Sequence, residues 1–134
     1  MRASLDRLHV PVYALLRFIS GMMFFCHGAQ KILGWFDGHV QGTFSFLWWG
    51  GLIELVCGLL IAVGLVTRWS AFIASGEMMV AYFKSHFAFA FAGLHWVPIV
   101  NKGELAVVYC FLFLFIFVHG PGRFSLDHRF GIDP

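Results

Sequence analysis

Long apolar stretches alternate with short polar breaks along this chain. The apolar stretches cover residues 12–35, 44–66, 69–91 and 103–119. Each is close to the roughly 20 residues that a helix needs to cross about 30 Å of hydrocarbon, the fourth being the shortest. The pattern predicts an all-α integral membrane protein, one domain over residues 1–134, with four antiparallel transmembrane helices forming a bundle. Only Thr67 and Arg68 separate the second and third stretches, which predicts a tight hairpin there. Asp37-Gly38 marks the first of the longer connections, and Pro98 with Asn101-Lys102-Gly103 marks the second. After His119, Gly-Pro-Gly-Arg ends the last helix, because proline cannot continue it.

Charged residues interrupt these apolar runs in a regular way. Residues three or four apart share one face of a helix. Arg17, Gly21, Phe24, Gly28 and Lys31 form such a stripe, flanked by Ser20 and His27. Gly50, Glu54 and Gly58 form a second, and Ser70, Ala74, Glu77, Ala81 and Lys84 a third. Small residues let membrane helices approach closely, so these stripes face the bundle interior. A charge in hydrocarbon costs roughly 2.5–3.5 kcal/mol on insertion scales, so these side chains need partners or water.

The rise of about 1.5 Å per residue places the charges in two layers. The inner layer is a structural ion pair between Arg17 and Glu77. The outer layer gathers His27, Lys31, Glu54, Lys84, His86 and Glu104. Glu54 and His27 are the candidate catalytic residues: Glu54 as a proton site, His27 as a hydrogen-bond donor. Lys31, Lys84, His86 and Glu104 are the candidate substrate- or quinone-binding residues. Plainer roles stand beside these. His27 can be a core histidine bonded to a carbonyl, and Lys31 and Lys84 can snorkel to the interface. Glu104 can complement a helix dipole. Glu54, mid-segment with no basic neighbour in sequence, needs a partner from another helix under either reading.

Composition agrees with a membrane setting. The chain is 60% hydrophobic and 12% charged, with a mean hydropathy of +0.80. A net charge of +2 without a basic block sets nucleic acid aside. Cys26, Cys57 and Cys110 lie singly on different apolar segments, which excludes a C-x-x-C centre and reads as packing. No two metal-ligand residues have i,i+4 spacing on one helix, so no metal is assigned, and no haem, flavin or iron–sulfur motif is present. The first stretch carries Arg17 and His27 and lacks an A-x-A exit, so it reads as a retained span. Arg2, Arg7, Arg68, Arg123 and Arg129 fall on one side of a four-span topology. The positive-inside rule then puts both termini in the cytoplasm.

Three stretches carry a family resemblance: LLRFISGMMFFCHGAQKILGWF, the run from Gly51 to Phe87, and the run from Asn101 to His128. Within them stand G-L-x-E followed by G-L-x-T-R (Gly51 to Arg68), N-K-G-E (Asn101 to Glu104) and G-P-G-R-x-S-L-D (Gly120 to Asp127). His27-Gly-x-x-Lys31 points to the common bacterial branch. Together they resemble the DoxX family. The resemblance implies a four-helix protein of the bacterial inner membrane, multi-pass. The polar positions it carries over are Arg17, His27, Lys31, Glu54, Arg68, Glu77, Asn101 and Glu104. The family takes its name from a subunit of a thiosulfate:quinone oxidoreductase, and other members are reported in membrane redox or oxidative-stress assemblies.

Two functions follow as expectations. The first is a quinone-linked oxidoreductase, or a subunit of one, with quinone as cofactor and a small sulfur anion such as thiosulfate as a candidate substrate. The second is a non-catalytic membrane scaffold or a subunit that binds or transports a small solute. The partners implied are the lipid bilayer, subunits of a membrane redox complex and a second copy of the chain.

Overall fold

The computed structural model describes residues 2–87 and 91–132, the side chains of residues 2–6 excepted. Its elements are α1 (Arg2–Ile32), α2 (Phe46–Val63), α3 (Thr67–Ala81), a π-helix (Tyr82–Phe87) that continues α3, α4 (Pro98–Asn101), α5 (Glu104–His119) and α6 (Leu126–Phe130). No strand occurs among the described residues. α1 begins ahead of the expected residue 12 and runs through Pro11. That proline removes one amide donor, but the leucine, alanine and arginine around it are good helix formers. Residues 88–90, near the end of the expected third stretch, lie outside the described residues.

α1 and α2 lie in close antiparallel contact because glycines face backbone. Gly21 meets Gly58 and Ala62, while Gly28 meets Gly51 and Leu55. A Cβ on Gly21 would stand 2.5 Å from the Ala62 nitrogen and 2.8 Å from the Gly58 oxygen. Any larger residue there would push the helices apart. α3 packs on α2 and α5. On the α5 side, Ser75 donates to the Cys110 carbonyl at 2.8 Å. Large rings join α1 to α5: Phe24 lies 4.7 Å from Phe113 and 5.4 Å from Tyr109 between centroids. Ala71, Ala74, Ile61 and Ile116 complete the core.

The outer surface is apolar. Leu15, Ile19, Phe72, Phe111, Phe115 and Val118 are all at least half exposed. In water that would be a large unpartnered patch; lipid covers it without penalty. Arg7–Ile32 and Phe46–Val63 are each long and apolar enough to cross a membrane, and Glu104–His119 is apolar but shorter.

The turn between α2 and α3 falls earlier than expected. Gly64, at φ +73°, closes α2, and Thr67 and Arg68 already belong to α3. The C-terminal segment fixes this start. The buried Asp127 carboxylate accepts from the amides of Val66 at 2.7 Å and Thr67 at 2.8 Å. These are orphan donors at a helix N-terminus, where a negative charge is also favoured by the dipole. The bonds hold Val66 at φ +48°, a conformation that a β-branched residue rarely adopts.

Two arginines act at the opposite kind of helix end. Arg17 donates to the carbonyls of Ile61, of Ala62 at 2.8 Å and of Phe124 at 2.6 Å. Arg68 donates to the Phe117 and Val118 carbonyls at 2.7 and 3.0 Å. Tyr13 donates to the Gly120 carbonyl. The expected Arg17–Glu77 ion pair is therefore not formed. Arg17 is drawn to the free carbonyls at the end of α2, which combine acceptor capacity with negative dipole. Glu77 lies in a different part of the molecule.

Candidate functional site

The other end of the molecule holds a cavity of about 290 Å³. It lies between the C-terminal half of α1, the N-terminal half of α2, the end of α3 with the π-helix, and the start of α5. Phe24, Phe46, Leu47, Met78, Leu105 and Ala106 form its apolar wall. Its polar side chains are His27, Lys31, Glu54, Glu77, Ser85, His86, Lys102 and Tyr109. Lys31 Nζ bonds Glu54 Oε1 at 2.6 Å. The side chain of Glu54 is 3% exposed and that of Lys31 30%. The pair thus runs from the interior toward the surface, with the charge of Glu54 balanced from the outer side.

The rest of the cavity is not balanced. Glu54 Oε2, Glu77 Oε2 and the Tyr109 hydroxyl are buried and have no hydrogen-bond partner among the described residues. Glu54 and Glu77 are close enough to interact electrostatically. A buried polar atom left without a partner costs about 1–3 kcal/mol. Three on facing walls of one cavity leave acceptors and a donor available to a guest. His27 stands edge-on to Tyr109 at 6.3 Å between ring centroids. His86 Nδ1 lies 3.3 Å from the Asn101 carbonyl.

Of the candidate residues named from the sequence, the structure brings together His27, Lys31, Glu54 and His86. It leaves out two. Lys84 is exposed, with Nζ 3.8 Å above the Phe46 ring and outside the cavity. Its stripe assumes 3.6 residues per turn, whereas the π-helix from Tyr82 makes wider i→i+5 turns. That change turns Ser85 and His86, rather than Lys84, toward the cavity. Glu104 is exposed in the first turn of α5 and also lies outside, in the place where a carboxylate complements the helix dipole.

Glu77, Tyr109 and Lys102 line the cavity without having been expected there. For Glu77 the signal existed. Glu54 is eight residues from the start of α2 and Glu77 ten from the end of the π-helix, so their depths from this end are alike, roughly 12 and 15 Å. Tyr109 carries no signal beyond a hydroxyl among phenylalanines. Lys102 reaches the cavity from a left-handed turn at φ +60°. Asn101 builds that turn by accepting from the Gly103 amide at 2.8 Å and donating to the His95 carbonyl at 2.9 Å.

The DoxX family profile matches residues 12–87, more than half of the chain. The chain belongs to the DoxX family. A Haemophilus influenzae protein, named only as uncharacterized, is 37% identical over 131 residues, which cover 95% of this chain and 96% of its own. An uncharacterized membrane protein of Mycobacterium tuberculosis is 29% identical over 135 residues, covering 89% and 81% respectively. No solved structure matches. The motifs that carry the sequence resemblance, within the matched residues 12–87 and beyond them, acquire physical meaning here. G-L-x-T-R and G-P-G-R-x-S-L-D are the two halves of one joint, Asp127 binding Val66 and Thr67 while Arg68 binds the end of α5. The glutamate of G-L-x-E and the lysine of His-Gly-x-x-Lys are the ion pair of the cavity.

Proposed function

We propose that the cavity binds the head group of a membrane quinone and exchanges protons with it. The observation that carries this reading is the set of unpartnered buried oxygens on Glu54, Glu77 and Tyr109 inside a cavity with aromatic walls. The volume is near the lower end for small-ligand pockets, which start at about 300 Å³, and suits one ring. Quinone, when bound, supplies two-electron, two-proton redox chemistry. Glu54 Oε2 and Glu77 Oε2 would accept hydrogen bonds from the reduced head group, and Tyr109 and His27 would donate to the oxidised one. Lys31 holds Glu54 through Oε1 and leaves Oε2 free to take up or release a proton. Ser85, His86 and Lys102 continue the polar lining on the other side and offer the proton a way out. A small sulfur anion such as thiosulfate would meet Lys102 first, by simple charge attraction.

The same proposal sets the chain in the bacterial inner membrane as a multi-pass protein. α1, α2, α3 with its π-helix, and α5 each cross, with both termini cytoplasmic and the cavity in the periplasmic half. Support comes from the apolar outer surface and from Arg7, Arg68, Arg123 and Arg129 gathering toward the end opposite the cavity.

The test is Glu54→Gln in protein purified into nanodiscs. This variant keeps the shape and removes the charge and the proton site. Wild type should bind decylubiquinone stoichiometrically, and Glu54→Gln should fold normally but bind at least about tenfold more weakly. Undiminished binding by the variant, or no binding by wild type together with a stable stoichiometric partner protein, would move the assignment to a scaffold.

A further inference from the structure

A second hollow of about 200 Å³ lies on the outside of the molecule between α2 and α3. Trp49, Ile53, Ile73 and Val80 give it apolar walls, and Gly76 its floor. It shares Phe46, Gly50 and Glu77 with the inner cavity. The two hollows are thus separated by three residues, one of which has no side chain. A Cβ on Gly50 would meet only Glu77 Oε1, at 3.1 Å, and a Cβ on Gly76 would meet nothing within 4 Å. Gly76 is therefore unlike Gly21, Gly28 and Gly58, which are needed for helix contact. A glycine inside a helix costs roughly 0.5–1 kcal/mol relative to alanine. At position 76 no packing contact among the described residues accounts for that, and the position opens onto the groove.

We infer that this groove is the bilayer-side opening of the cavity, and that it holds the aliphatic chain of the molecule whose head group sits inside. The inference rests on the quinone reading above and specifies the ligand's second half. The shared lining points to the occupant. Phe46, Gly50 and Glu77 touch both hollows, so one molecule with a polar ring and an apolar chain fills both, whereas a water-soluble solute would leave the groove empty. Trp49, Ile73 and Val80, each about half exposed, face the lipid from which such a chain would arrive. Lys84 sits over the ring of Phe46, at the edge shared by the two hollows.

The experiment compares two probes on wild type and Gly76→Phe in nanodiscs. Decylubiquinone has head and chain, and ubiquinone-0 has the head alone. Binding is read by quenching of tryptophan fluorescence. Gly76→Phe should weaken decylubiquinone by about tenfold or more and leave ubiquinone-0 within about twofold. If both probes bind both proteins equally, the groove has no role and the cavity reading stands. If wild type binds neither probe, the groove and the cavity readings fall together. Because phenylalanine can disturb folding, Gly76→Cys gives an independent readout. Its labelling by a lipid-soluble maleimide, above the background from the native cysteines, should be blocked by decylubiquinone but not by ubiquinone-0. Labelling that decylubiquinone leaves unchanged overturns the inference.

Discussion

The two ends of this molecule carry the same kinds of charge and use them in opposite ways. At the terminal end, Arg17 and Arg68 meet the last carbonyls of α2 and α5, and Asp127 meets the first amides of α3. Each charge there meets a helix end that needs it, in hydrogen bonding and in dipole, and the atoms left without a partner, Arg17 Nε and Thr67 Oγ1, are single ones packed into the joint. At the cavity end, Lys31 and Glu54 match each other only through one carboxylate oxygen, and the other oxygen, with Glu77 Oε2 and the Tyr109 hydroxyl, is left over. Saturated polar groups hold a fold together. Buried unsaturated ones weaken it, and three of them gathered around one cavity leave a place for a guest to complete them.

The sharpest way to break this comparison is at Asp127. Asp127→Ala leaves two amides and a left-handed Val66 without support. The loss should be about 3–5 kcal/mol, from two charge-assisted hydrogen bonds and the conformation they hold. Thermal unfolding in detergent should show it as the largest drop among single variants. Arg17→Met should follow closely, because it strips three carbonyls of their donor. The double variant of Arg17 and Glu77 should be additive, since the two residues serve different ends. A coupling above about 0.5 kcal/mol in that cycle would bring back the ion pair.

Why one end is legible in the sequence and the other is not follows from what each residue binds. Lys31 and Glu54 lie on small-residue stripes of adjacent helices, and each needs an opposite charge, so side-chain reasoning brings them together. His27 and His86 come with them. Arg17, Arg68 and Asp127 bind backbone atoms. Those atoms become available only where Gly64 and Gly120 end their helices, and no stripe records that. Side-chain reasoning can offer Arg17 only a carboxylate at similar depth, and Glu77 is the nearest. The helices themselves are well marked, because apolar length and glycine spacing report directly on lipid and on helix contact. Among the described residues their register changes where a π-helix replaces the 3.6-residue turn, and Lys84 is misplaced for that reason.

A middle-sized effect sharpens the cavity side. Lys31→Met leaves Glu54 buried beside Glu77 without its cation. Because Lys31 is itself partly exposed, the destabilisation should be about 2 kcal/mol, below the usual figure for a fully buried pair. Pairing it with Glu54→Leu should recover much of the loss, since the uncompensated charge goes too. The recovered double variant should still bind no quinone. Stability regained together with binding would mean that the pair holds the fold and does nothing else.

The smallest expected effects are at Lys84 and Glu104, and they test the boundary of the site. Lys84→Ala removes a cation from the face of Phe46, a contact worth about 0.5–1 kcal/mol at an exposed position. Glu104→Gln removes a favourable charge from the first turn of α5, worth about 0.3–1 kcal/mol. Both residues are exposed and neither lines the cavity. Both variants should therefore unfold almost as wild type does, and should bind ubiquinone-0 with unchanged affinity. The contrast with Glu54→Gln matters more than either value. All three remove or alter charge near one end of the molecule, so a general field effect would weaken ligand binding in each. Only a local site loses binding at Glu54 and keeps it at Glu104. If Glu104→Gln weakened ubiquinone-0 as much as Glu54→Gln does, the site would extend onto the outer surface, and the cavity alone would not be what recognises the ring.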